Sequence, residues 1–438
     1  MQLSKSLSFL AVQSSIALAQ TNSTNSSSSS VAYQPLSTDD HFSFTLYETL
    51  SLANGGGSAT GEVLRAAAKI TPGDFESFYS EFKFLGDALH NTAASINASK
   101  FPVSAREAYF RASSYYRMST FYLVGNQSDP RLFDVWDSAL ADFDKAISLT
   151  EVKGERVTVK GPGFDIPVIY WRSPKADQSG SVPTVLAGSG YDGPQEDLYH
   201  AIGRNILDRG WNFATYEGPG QPTVRRQQGL GFISNWWDVV TPVVDFLEKK
   251  PEVDTKHLAL VGLSYGGILA PLAASREHRF AAVLAIDGLK NLQTLVLNQF
   301  PTIMQQLFKS GNQTAFDAYL NAARVSSQAS TEIKWFIDHG LWSFNTKSPY
   351  DWFTRFGEIN LDGDVLKNVT APVFIGKGED DTTAGGQEEE VAKLLGNKSY
   401  FHEFKTELGA GEHCQLGAEQ QLSQVSFDWL AEVFESIA

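Results

Sequence analysis

The run Gly262-Leu263-Ser264-Tyr265-Gly266-Gly267 is the part of the sequence best suited to chemistry. It follows an apolar stretch at 258–261 and precedes a helix-compatible stretch at 268–275. A serine at the tip of a strand–turn–helix is a nucleophile elbow. Small flanking residues permit the sharp turn, the hydroxyl is lifted clear, and the helix offers its N-terminal amides to developing negative charge. A serine hydroxyl is a weak nucleophile at neutral pH. It needs a base to take its proton and an acid to orient that base. Along a chain with such an elbow the order is serine, acid, histidine.

Four histidines follow Ser264: His278, His339, His402 and His413. His413 lies beyond the last strand-like run, in the loop Gly409-Ala410-Gly411-Glu412-His413. A loop there can return a side chain over the strand ends, so His413 is the expected base. His278 falls between the elbow helix and the next strand, His339 in a long insertion, and His402 inside a strand; structural or surface roles are expected for these. The acid should follow the run 372–375, where Gly378-Glu379-Asp380-Asp381-Thr382 stands. Its Gly-x-x-Asp spacing selects Asp381, with Asp380 as second choice. Asp287, ending the preceding strand, is another acid position, although the following Gly288 suits a simpler strand-end role. An oxyanion hole needs two convergent backbone amides. One is expected from Tyr265. The other should come from Gly188-Ser189-Gly190-Tyr191-Asp192-Gly193, with Tyr191 first and Gly190 next. A second polar turn, Glu217-Gly218-Pro219-Gly220-Gln221, follows the run 212–216. Spacing leaves open whether it meets substrate or shapes the loop.

Eight β-type runs position these motifs, at 156–159, 166–171, 184–187, 212–216, 258–262, 281–286, 372–375 and 400–404. The first two flank Gly161-Pro162-Gly163 and read as a hairpin. Helix-length segments separate the later ones, which implies an α/β fold: a mostly parallel sheet with helices on both faces. Ligands collect at the carboxyl ends of such strands. Residues 41–150 read as an N-terminal helical domain. Helical spacing is seen at Phe75, Phe78, Phe82, Leu85 and Leu89, then over 105–124 and 131–149. Residues 289–370 are rich in aromatics and too long for a plain loop, so they are expected to form a helical lid. The catalytic domain is left as 151–288 with 371–438.

The chain has 438 residues, 42% of them hydrophobic, enough for a large core. A net charge of −15 opposes nucleic-acid or anionic-membrane partners. A small-molecule substrate is the expected partner, no cofactor or metal is called for, and a homodimer is one assembly open to the chain. The single cysteine, Cys414, excludes an intramolecular disulfide and reads as a small packing residue. Lys5, the apolar stretch 7–18 and Ala17-Leu18-Ala19 predict a signal peptide over 1–19, cleaved after Ala19. That stretch is too short to span a bilayer. A Ser/Asn/Thr-rich leader over 20–40 is expected to be disordered. Sequons at Asn22, Asn25, Asn97, Asn126, Asn312, Asn368 and Asn397 fit a secreted glycoprotein.

The run 106–117, the loop 190–193 with Glu196, the turn 217–221, the elbow 262–267, Asp380-Asp381 with Gly386-Gln387, and the loop 409–414 occur together and in this order. From about Ala105 to the C-terminus they resemble the fungal α/β hydrolases of polyketide and melanin pathways, a group similar to 2,6-dihydropseudooxynicotine hydrolase. The resemblance implies an α/β-hydrolase fold, with the N-terminal helices and the insertion capping the site. It implies Ser264, Asp381 and His413 as a triad. It also implies cleavage of an ester, a thioester or a C–C bond beside a carbonyl in an aromatic or polyketide-like substrate. Thr382, Thr383 and Ala384 stand where that group would have aromatic residues, a difference that bears on the substrate pocket. The signal peptide is unusual for a pathway enzyme of this kind, which makes a secreted carboxylesterase the rival. A non-catalytic binding protein on the same scaffold is a second alternative, and acyl transfer or cyclisation from the same acyl-enzyme a third.

Overall fold

Runs of Val, Ile, Leu and Ala form strands that can be covered on both faces, and eight of them make one sheet. In the computed structural model, which describes residues 34–383 and 385–437, they are β1 (Gly154–Lys160), β2 (Asp165–Trp171), β3 (Val182–Gly188), β4 (Asn212–Tyr216), β5 (Val253–Leu263), β6 (Ala282–Ile286), β7 (Val373–Gly378) and β8 (Ser399–Phe404). Their order is β1-β2-β4-β3-β5-β6-β7-β8. β1 and β2 form the expected antiparallel hairpin, β2 runs antiparallel to β4, and the remaining pairs are parallel. Each expected run matches a strand, with Ala281 and Pro372 falling just before β6 and β7. β5 starts earlier than its apolar run because its first turn, through Thr255 and Lys256, is exposed and carries no hydrophobic pattern.

Side chains alternate between two cores, as the period of a strand requires. Leu186, Leu260, Val283 and Ile375 face the helices Trp237–Leu247 and Gly266–Ala274. Val185, Val261, Leu284 and Phe374 face the opposite layer, with Phe110, Phe143 and the C-terminal helix Glu419–Ile437. The parallel register pairs Gly188 with Gly262, Leu263 with Ile286, and Ile286 with Gly376. The carboxyl ends of β3, β5, β6 and β7 therefore lie side by side.

Among the described residues five α-helices precede the sheet: α1 (Asp40–Ser51), α2 (Thr60–Ala67), α3 (Phe75–Ser95), α4 (Pro102–Ser119) and α5 (Arg131–Ser148). Asp39 caps α1 by accepting the Phe42 amide at 2.9 Å, and Asp74 caps α3 in the same way. The end of the expected leader is thus folded, since Leu36 and Asp39 are tied to α1. The helix expected over 105–124 stops at Ser119. The chain turns there so that Tyr122 packs on Phe42, Phe75 and Phe78, and its hydroxyl bonds to Thr45 and His41, each at 2.7 Å. This buried cluster outweighs the local helical pattern.

The insertion is helical, with Leu292–Gln299, Thr302–Lys309, Gln313–Arg324, Thr331–Ser343 and Pro349–Glu358. Many of its aromatics pack on one another; Phe353 lies 5.3 Å from Phe300 and 5.0 Å from Phe308. Trp335 stacks on Phe121 and tethers the insertion to the N-terminal helices. No helix among the described residues is long and apolar enough to cross a membrane. The expected signal peptide and the sequons at Asn22 and Asn25 lie outside the described residues. The other five sequon asparagines are exposed.

Candidate active site

Ser264 leaves the end of β5 with a φ of 58°, a left-handed conformation uncommon for a side-chain-bearing residue. The glycines around it are required by contact. A Cβ on Gly262 would lie 2.0 Å from the Gly266 carbonyl oxygen, and one on Gly267 would lie 2.5 Å from that of Asp287. The helix Gly266–Ala274 follows at once, so Ser264 stands at its N-terminus.

His413 Nε2 is 2.8 Å from Ser264 Oγ, and His413 Nδ1 is 2.8 Å from Asp381 Oδ2. Asp381 also accepts the Thr383 amide at 2.7 Å. Asp380 is exposed and points no carboxylate at the histidine; its amide instead donates to Gly411 and pins the histidine loop at 2.8 Å. A third acid joins them. Asp287 Oδ2 lies 3.0 Å from His413 Nδ1 and accepts the Cys414 amide at 2.6 Å. The expectation of a plain strand-end role for Asp287 is therefore corrected: a φ of 59° turns its wholly buried side chain back over the sheet. Cys414 is half-buried with a φ of 53°, and its backbone, more than its thiol, serves this arrangement.

Burial works against a charged His413, but Cys414, Asp287 and Asp381 outweigh it and raise its pKa well above the usual value. The thiol itself is pushed up to about 12, by burial and then by Asp287, so at neutral pH the charge comes from the carboxylates. Burial lifts Asp287 to about 6 against the pull of His413. Asp381 is also opposed by burial, yet His413 holds it below the usual carboxylate range. Asp287, His413 and Cys414 are the group among the described residues whose ligand atoms, within 4.8 Å, could surround a cation. Both imidazole nitrogens are engaged, so ligation there would break the Ser264–His413–Asp381 chain.

Gly190 lies against the serine, since a Cβ there would be 2.8 Å from Ser264 Cβ and 2.9 Å from the Tyr265 amide nitrogen. The loop's carbonyls are tied away from this contact. Gln221 Nε2 donates to the Ser189 and Gly190 oxygens at 3.0 and 3.2 Å. His339 Nε2 is 3.1 Å from the Tyr191 oxygen. In a trans peptide the next amide points opposite to the carbonyl, so the Gly190 and Tyr191 N–H groups point away from Gln221. Gln221 is wholly buried, and its Oε1 accepts the Gly218 amide. Glu217 accepts the Gln195 and Thr223 amides. The turn 217–221 thus shapes the loop. Its sequence position gave the location but not this role. His339, set aside as structural, is the second support of the same loop. His278 bonds to the Ser275 carbonyl, and His402 packs edge-on against Phe404.

The N-terminal helices also reach the site. Arg117 of α4 holds Glu48 of α1 at 3.0 Å and Asp197 at 3.4 Å, and Asp192 of the loop adds its charge to the same guanidinium.

Residues 237–353, which include the elbow, match the model of the prolyl oligopeptidase family. The chain is 28% identical to a 20-hydroxy-prefusarin hydrolase of Gibberella moniliformis, over 90% of this chain and 97% of that one. It is 29% identical to an alpha/beta hydrolase of Aspergillus fumigatus, over 90% and 93%. Among solved structures, 2,6-dihydroxy-pseudo-oxynicotine hydrolase superposes with a TM-score of 0.68 at 18% identity, covering 87% of this chain and 95% of that one. The chain is a hydrolase of the α/β-hydrolase fold, similar to these fungal alpha/beta hydrolases.

Proposed function

We propose that the chain is a serine hydrolase acting on a carbonyl of an aromatic or polyketide-like small molecule. The observation that carries this is the unbroken chain from Ser264 Oγ through His413 to Asp381, at 2.8 Å for each link, behind a serine in the strained elbow conformation. His413 takes the serine proton as Oγ attacks the carbonyl carbon. The oxyanion that forms is met by the amide of Tyr265 and by that of Tyr191 or Gly190. Collapse expels the leaving group, which His413 protonates, and water then releases the acyl group by the same steps. An ester or thioester fits this directly. For a C–C bond the departing carbon must carry its charge as an enolate or on a ring. The name of the Gibberella moniliformis relative, a prefusarin hydrolase, supports a secondary-metabolite substrate.

Labelling the purified protein with a fluorophosphonate tests this reading. A stoichiometric adduct on Ser264, lost in Ser264→Ala and in His413→Ala, is the expected result. Turnover of aryl esters or β-diketones by a folded Ser264→Ala protein would overturn it. Secretion is the accompanying proposal, supported by the five exposed sequons. A glycosidase-sensitive mass in the culture medium, with Gln20 as first residue, is its expected sign.

A further inference from the structure

Behind the loop that carries Tyr191 and Asp192 lies a narrow cavity, bounded also by Trp136, Arg226, His339 and Trp342. It is one residue along the loop from Gly190, which touches Ser264. Its charges are unbalanced. Arg117 on one side is answered by Glu48, Asp197 and Asp192. Arg226 on the other has no ion-pair partner: no carboxylate among the described residues lies within ion-pairing distance of it or of its neighbour Arg225, and Glu217 acts on it only from further off. Arg226 Nε donates to the Leu132 oxygen at 2.8 Å and Nη1 to the Pro222 oxygen at 3.1 Å, and neither acceptor carries charge. Its guanidinium stacks 4.1 Å over the ring of Trp136, and the buried indole N–H of Trp136 has no acceptor. Burial pushes Arg226 down to about 9, with Glu217 opposing this. The one carboxylate on the cavity wall, that of Asp192, faces Arg117, and none pairs with Arg226. A half-buried cation with no carboxylate in contact, beside an unused donor, offers a site for an oxyanion.

We propose that this cavity is a subsite for an acidic group of the substrate, a carboxylate or an ionised enol, received by Arg226 between the rings of Trp136 and Trp342. The inference rests on the serine-hydrolase reading for the word substrate, but not for the binding itself. The acidic end would sit behind the oxyanion loop, with the carbonyl to be cleaved on the Ser264 side. His339 does not compete for the anion, because burial pushes its pKa down to about 4 and it is neutral at neutral pH.

Calorimetric titration of the full protein with 1-naphthoate and with its neutral isostere 1-naphthamide tests the proposal. The acid is expected to bind at least tenfold more tightly than the amide. Arg226→Gln should lose at least tenfold for the acid and little for the amide. Arg226→Lys, which keeps the charge without the planar fork, should fall between the two. Equal binding of acid and amide by the unmodified protein overturns the proposal without recourse to any variant. So does undiminished acid binding in Arg226→Gln, or inorganic phosphate binding as tightly as naphthoate. Fluorophosphonate labelling of Ser264 is read separately. Its failure with naphthoate still bound removes the hydrolase reading and leaves the anion site. Its success with acid and amide bound alike does the reverse.

Discussion

Asp287 brings its Oδ2 to 3.0 Å from His413 Nδ1, so the imidazole faces two carboxylates from adjacent strands instead of one. Removing a single orienting acid from a serine triad costs about 10⁴-fold in kcat when nothing replaces it. Here the second carboxylate remains to hold the tautomer. Asp381→Asn and Asp287→Asn are each expected to lower kcat by about 10- to 100-fold, and the double variant by about 10⁴-fold. Steady-state rates on an aryl ester check this. An Asp381→Asn loss equal to that of the double variant would show that Asp287 orients nothing.

The same pair sets the pH profile. In the proposed mechanism His413 must be neutral to act as base, and its surroundings raise its pKa above the usual value despite burial. Activity is therefore lost as pH falls through that raised pKa, and the acid limb of kcat/KM stands above the ordinary histidine position of about 6.5. Asp287→Asn removes one negative charge that favours the imidazolium. The limb should move to lower pH, so that at pH 6 the variant keeps a larger fraction of its own maximum than the parent does. A limb that stays in place or moves up would contradict the assignment.

That Ser264, His413 and Asp381 would be brought together was legible because each sits in a loop leaving the carboxyl end of a strand, in the order that an elbow calls for. Asp287 was underweighted because a strand-end Asp-Gly has a bland explanation; only the 59° φ turns its carboxylate toward the histidine. The end of α4 was misplaced because Tyr122 obeys helical spacing but is captured by Phe42 and Phe78. Partners such as Glu48 and Arg117, 69 residues apart, leave no periodic trace at all. The support given by Gln221 and His339 is of the same kind, since it depends on carbonyl directions that spacing does not encode.

Gln221 gives a test of that support. It bonds two loop carbonyls at once and is wholly buried. Gln221→Leu leaves both unpaired, at a cost of about 1–3 kcal/mol in stability. Loss of one oxyanion donor costs about 10²–10³-fold in kcat, and a loop no longer held should forfeit a good part of that, about 10- to 100-fold, with KM little changed. Thermal melting and the split between kcat and KM separate the two effects. A fall in melting temperature with kcat intact would mean that Gln221 supports the fold but not the loop's amides.

Arg117 joins the N-terminal helices to the loop that carries Gly190 and Asp192, and its removal has a pH signature. Its side chain is buried between Glu48 and Asp197, with Asp192 nearby. Replacing it by methionine leaves three enclosed carboxyls without their cation, a change expected to cost about 3–5 kcal/mol near neutral pH. Burial already lifts Asp197 to about 7 although Arg117 pulls it down, and burial also lifts Glu48 and Asp192. Without the cation all three should rise further. A carboxyl whose folded pKa exceeds its unfolded one favours the fold at low pH and loses that contribution as pH rises through the folded value. The deficit of Arg117→Met should therefore be small at pH 5 and large at pH 8, when measured by denaturant unfolding of variant and parent at both. A deficit independent of pH would indicate that the side chain contributes by packing alone, and that α1 and α4 are not coupled to the loop through charge.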